Sequence, residues 1–172
     1  VHASREADAL RRLFPGARVE TGDGASSEML RHLGLSAGSI HLACHGVFRS
    51  DNPAFSALEL ADGNFSALDA EKLGLGNALV VLSACDSGVA TEAEGDEVFG
   101  LVRAFLIGGA SRVLASLWPV DDETTVDWMT AFYQALQSGA TPAGASQLAQ
   151  RTVREQHPHP FHWAAFATFG GW

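Results

Sequence analysis

Leu79-Val80-Val81-Leu82-Ser83-Ala84, followed by Cys85, is the stretch from which the rest of the chain is read. Its residues do not alternate polar with apolar. Val and Leu dominate it, so it suits a parallel strand covered on both faces better than a strand with one wet face. Residues 39–44 (S-I-H-L-A-C) and residues 112–118 (R-V-L-A-S-L-W) have the same character, and Pro119 stops the second. Three short buried strands of this kind point to a sheet inside a core.

Around these runs the period becomes helical. Residues 3–14 carry Ala7, Leu10, Leu13 and Phe14 at helical spacing, and Pro15-Gly16 ends them. Ser26 or Ser27 caps a helix through Leu33, with Gly34 as its stop. Residues 97–107 place Val98, Leu101, Val102, Phe105 and Leu106 on one stripe before Gly108-Gly109. Asp121 or Asp122 caps a helix to about Gln137, and Thr141-Pro142 opens another to about Gln156. Residues 17–20 and 163–169 read as short strands. Residues 55–60 form a hairpin with 64–66 across Asp62-Gly63, with Phe55, Ala57 and Glu59 on one face. Ser66, with Asp69 three residues later, starts a short helix ending near Gly74. The polar, acidic residues 89–95 read as a loop. Strand and helix alternate, which predicts a three-layer α/β/α sandwich on a mostly parallel sheet. With no repeat, low-complexity tract or linker, residues 1–172 read as one domain.

The 172 residues are 47% hydrophobic and 18% charged, enough apolar surface for a sizeable core. Eleven basic and 20 acidic side chains give a net charge of −9. That argues against a nucleic-acid or anionic membrane partner, since both reward Lys and Arg. The apolar runs fall short of the roughly 18 residues of a membrane span. Two cysteines make no disulfide framework, and a cytoplasmic, reducing compartment is expected. The chain opens at Val1 without a signal-peptide pattern, which suggests a piece of a longer protein.

In open α/β sheets, sites form at the carboxyl ends of strands. His45 follows one apolar run and Cys85 another. If those strands are neighbours, an imidazole and a thiol converge on one edge of the sheet, the arrangement that makes a thiolate near neutral pH. Gly46 and Asp86-Ser87-Gly88 leave little bulk beside the pair, so backbone N–H groups can approach a substrate carbonyl. The plain alternative is a small buried cysteine and an ordinary loop histidine.

At these residues the sequence resembles a known family. H-L-A-C-H-G (residues 41–46) and V-V-L-S-A-C-D-S-G (residues 80–88) resemble the two active-site blocks of CHAT domains, relatives of the caspase and separase cysteine proteases. The resemblance continues through residues 95–110, 113–122 and 159–166. It implies a caspase-like fold and a cysteine endopeptidase needing no metal or organic cofactor. Cys85 would be the nucleophile and His45 the general base and acid, with the backbone N–H groups of Gly46 and Cys85 as the oxyanion hole. Ser83 and Asp86 would flank the substrate. Ser83 holds the position from which caspases help line a pocket for an acidic side chain, and it is too short for that. L-W-P-V-D-D (residues 117–122) resembles the separase stretch whose acid receives a basic side chain, so Asp121 and Asp122 would favour Arg or Lys before the scissile bond. The acidic run Glu92, Glu94, Asp96, Glu97 could add to that field or be a solvated face. The expected partners are a protein substrate and an upstream helical-repeat (TPR-like) region or activator.

Other signals read as structural. Cys44, beside His45, reads as a buried thiol, because adjacent strand residues point to opposite faces. His41 and His45 are too far apart along a strand to share a metal. His157, His159 and His162 read as surface histidines, with no acid at ligand spacing. Trp118 and Trp163 suit either a cleft wall or core packing. Residues 34–38 spell G-x-S-x-G, the serine-hydrolase elbow, yet lie after a helix and before a strand, the reverse of what an elbow needs. A serine esterase using Ser36 and a non-catalytic interaction module of the same fold are the rival readings.

Overall fold

A computed structural model describes residues 2–49, 52–83, 85–86, 96–119 and 121–171. In chain order the elements are α1 (His2–Leu13), α2 (Ser27–Gly34), β1 (Ser39–Leu42), β2 (His45–Val47), β3 (Ala57–Leu60), β4 (Gly63–Ser66), α3 (Ala67–Ala70), β5 (Leu79–Leu82), β6 (Cys85–Asp86), α4 (Asp96–Ile107), β7 (Arg112–Ser116), α5 (Asp122–Gln137), α6 (Pro142–Gln156), α7 (Pro160–Trp163) and β8 (Phe166–Phe169). They fall into two compact units, one of Val1–Val19 with Pro119–Thr168, the other of Glu20–Trp118 with Phe169–Trp172.

The larger unit holds the sheets. β1, β5 and β7 lie side by side in parallel, with Leu42 opposite Leu82 and Leu82 opposite Ala115. All four residues of β5 are buried, as the unbroken apolar run requires. Val80, Leu82, Val113 and Ala115 face one cluster with Leu101, Val102, Ala104 and Phe105 of α4. α4 comes close on the other side because it is small there. A Cβ on Gly100 would sit 2.7 Å from the Pro53 carbonyl oxygen, and one on Gly108 would sit 2.2 Å from that of Ala70. A second sheet runs β4-β3-β2-β6. Its hairpin turns at Asp62-Gly63 as expected, Gly63 taking φ +121°. The Asp62 carboxylate is bound by the Ser27 N–H at 2.8 Å and hydroxyl at 2.6 Å. Ser66 and Asp69 form the expected reciprocal cap of α3.

The smaller unit is helical around aromatic residues. Trp128 stacks on Phe132 at 5.4 Å and meets Phe166 at 4.6 Å, while Phe14 of the first segment meets Tyr133 edge-on at 5.5 Å. Burial, and then the Glu6 carboxylate, push the Tyr133 phenol well above its ordinary range.

Several boundaries differ from the sequence reading, and β1, β5 and α3 end earlier than read, at Leu42, Leu82 and Ala70. Residues 17–20 form no strand. A-R-V-E offers a single strong β-former, and Ala17 and Arg18 are exposed. The first hairpin strand starts at Ala57, because Asn52 and Pro53 fold Pro53–Phe55 into a 3-10 turn that leaves Phe55 58% exposed while Ala57 is buried. Residues 163–169 divide into α7 and β8. His159 accepts the Phe161 N–H and Pro160 opens the helix, the same start signal that Thr141-Pro142 gives α6. Residues 112–118 are a strand only over Arg112–Ser116. Residues 89–95, including Glu92 and Glu94, lie outside the described residues.

Candidate active site

β1 and β5 do not stop where their apolar runs stop. Two residues after each, the chain re-enters a sheet: β1 leads to β2 and β5 to β6. The pairs are His41 with Val81 and Leu42 with Leu82 in the first sheet, then His45 with Cys85 and Gly46 with Asp86 in the second. Every pair is separated by the same forty residues. The same register therefore runs through both parallel pairs, and the two connectors between them are equal in length. His45 and Cys85, read from the sequence as residues just past two strands, are in fact members of two short paired strands.

The second sheet has a dry row and a wet one. Gly46 is buried, its partner Leu58 is fully buried, and Leu58 pairs in turn with Phe65 at 1% exposure. His45, Glu59 and Asn64 are exposed. Alternate residues of a strand face opposite ways, so one row feeds the core and the other meets solvent. Cys85 holds the register position beside His45, and Asp86 the position beside Gly46 in the dry row. A Cβ on Gly46 would sit 2.7 Å from the Phe48 ring, which packs against the core.

Ser83, one residue past β5, is buried, and its N–H donates to the Leu42 carbonyl at 2.9 Å. It prolongs the parallel ladder. Cys44 is half-buried, and burial, then the Glu59 carboxylate, push its thiol up to about 12. At pH 7 only about one such thiol in 10⁵ is a thiolate, which makes Cys44 a poor nucleophile. Ser36 sits in the turn between α2 and β1, its hydroxyl 3.5 Å from the Leu33 carbonyl, with no strand before it.

Asp121 and Asp122 belong to the other unit. Asp121 caps α5, accepting the Thr124 N–H at 3.0 Å and hydroxyl at 2.7 Å, and His162 Nδ1 lies 3.1 Å from its second oxygen. Burial pulls the Asp121 carboxyl upward, but the Thr124 bonds and His162 outweigh it and hold it below the usual carboxylate range. This contact joins residues 41 apart, and nothing in local spacing announces it. It gives the histidine tract an acidic neighbour, although the described residues form no metal-holding group. The His162 ring also lies 5.2 Å from that of His157. Among the described residues no group of three His, Cys, Asp or Glu has metal-holding geometry, and no helix is long and apolar enough to cross a membrane. Trp163 is tied to its own segment through its Nε1–H to the Pro158 carbonyl.

A 131-residue stretch, 74% of this chain, is 37% identical to Tetratricopeptide repeat protein 28 of Homo sapiens. Another of 111 residues, 61% of the chain, is 35% identical to Tetratricopeptide repeat protein 28 of Mus musculus. The chain spans only 5% and 4% of those two relatives. The CHAT domain family matches residues 2–171, nearly the full length. With a mixed α/β architecture on a parallel sheet, consistent with the caspase-like fold, this chain belongs to the CHAT domain family.

Proposed function

We propose that this CHAT domain is a cysteine endopeptidase acting on protein substrates through Cys85 and His45. The supporting observation is the backbone register that pairs Cys85 with His45. Directly opposed residues of a sheet share a face, and His45 is exposed. In the reaction, His45 takes the Cys85 thiol proton and the sulfur attacks the peptide carbonyl carbon. The backbone N–H groups of Gly46 and Cys85 hold the resulting oxyanion. The imidazolium protonates the leaving amine as the C–N bond breaks, which leaves a thioester. Water, deprotonated by His45, then releases the acid and restores the thiol. Residues 2–171 act as one functional domain in this reading, joined to a tetratricopeptide-type region of the kind the relatives' names describe.

Cys85→Ala and His45→Ala are each expected to lower cleavage of a mixed fluorogenic peptide pool by about 10⁴-fold without changing the melting temperature. Cleavage surviving Cys85→Ala would overturn the reading. The expected preference for a basic residue before the scissile bond is tested separately, by repeating the screen on Asp121→Ala and Asp122→Ala. A second reading, a non-catalytic interaction module, draws on the relatives, which are named for repeats and not for a reaction. It predicts no cleavage by the unaltered chain and thiol labelling of Cys85 that is indifferent to His45.

A further inference from the structure

The second sheet carries a carboxylate in line with the proposed pair. β2 and β3 are antiparallel, with Val47 opposite Ala57 and Gly46 opposite Leu58. One more step of that register sets His45 opposite Glu59, and Glu59 is itself paired with Asn64. Reading across the four strands, one row therefore runs Cys85, His45, Glu59, Asn64. Opposed residues of an antiparallel pair have Cβ atoms about 4.5–5.5 Å apart on one face, within reach of an imidazole and a carboxylate. Both side chains are exposed and are not hydrogen-bonded to each other in this structure, so the pairing requires a turn of the exposed side chains toward one another.

We infer that Glu59 is a positioning residue for His45. This rests on the cysteine-peptidase reading and deepens it. The carboxylate accepts the N–H of the imidazole nitrogen that faces away from Cys85. It thereby holds one tautomer and stabilises the imidazolium that forms when Cys85 gives up its proton. Asn64, next in the row, steadies the carboxylate from the far side. Nothing in the local sequence marks Glu59, since it lies 14 positions from His45 and only the hairpin brings them together.

The test is alkylation of the folded chain by iodoacetamide at pH 6.5 and pH 10, read by mass spectrometry at Cys85 and Cys44 separately. With the unaltered chain, Cys85 reacts at pH 6.5 at least tenfold faster than in His45→Ala. Glu59→Gln is expected to slow Cys85 about three- to tenfold at pH 6.5 and not at pH 10, where an ordinary thiol is already ionised. Glu59→Asp recovers part of the loss, and kcat for peptide cleavage falls by the same factor while KM holds. Cys44 reports on the fold, because faster labelling there would mark a loosened core. If His45→Ala slows Cys85 and Glu59→Gln does not, or if the Glu59→Gln loss persists at pH 10, the role of Glu59 is overturned and the pair stands. If His45→Ala leaves Cys85 unchanged, the peptidase reading and the role of Glu59 fall together.

Discussion

The two sheets of the larger unit are made on opposite terms. The first, β1-β5-β7, buries all four residues of β5 and sinks Val80, Leu82 and Val113 into the α4 cluster. The second, β4-β3-β2-β6, has strands of two to four residues, only one dry row, and His45, Glu59 and Asn64 in solvent. One has a fully buried central strand, β5, packed into the core. The other is a thin ribbon that could not stand alone. The comparison shows a division of labour. Apolar burial supplies alignment in one sheet, and that alignment is spent in the next, where polar groups can be exposed at little cost.

The sharpest way to break this comparison is to cut the transfer of alignment. One extra alanine between Ala43 and Cys44 shifts β2 by a residue against β6 and sends its side chains to the opposite faces. Peptide cleavage is expected to fall about 10⁴-fold, and Cys85 alkylation at pH 6.5 to the His45→Ala level, while circular dichroism retains the α/β signal. Unchanged alkylation would mean that β2 and β6 find their register without help from β1 and β5.

Next in size is an attack on the core alone. Phe105 is fully buried in the α4 cluster. Phe105→Ala should cost about 3–5 kcal/mol in denaturant unfolding, whereas Glu59→Gln on the wet row should stay within about 0.5 kcal/mol. Equal losses would erase the distinction between the sheets.

How much of this was legible follows the same line. The run Leu79 to Leu82 is long and apolar enough to declare a buried strand, and α4 declares itself by its stripe. β2 and β6 are too short to have a period, so the sequence reading puts His45 and Cys85 just past two strands, where the structure has each opening a short paired strand. Their significance came from the apolar runs before them and from the family resemblance. The row through Glu59 and the contact of Asp121 with His162 are products of folding, and no local signal carries either. α7 was readable and missed, since His159-Pro160 has the form of Thr141-Pro142.

The smallest expected effect concerns the end of the hairpin. The Ser66 hydroxyl and N–H, with help from Arg31 at 3.3 Å, hold the Asp69 carboxyl below its usual range even against its partial burial. A carboxyl lowered in the folded state adds stability above its unfolded pKa, near 3.9, and that contribution vanishes as pH falls through the folded value. The group is partly exposed, so Asp69→Asn should cost only about 0.5 kcal/mol at pH 7 and less at about pH 3, below the unfolded pKa. Urea titrations at the two pH values measure the difference, and a pH-independent loss would assign the effect to α3 packing in place of charge.

The equal two-residue connectors have a consequence for recognising other chains built this way. The interval between the histidine and cysteine blocks holds the hairpin and α3, and its length does not enter the alignment of β2 with β6. What must be kept is the short count from each parallel strand, β1 and β5, to the proposed histidine or cysteine that follows it. A search profile that scores those two counts and ignores the interval would retain distant members that a fixed-gap pattern discards.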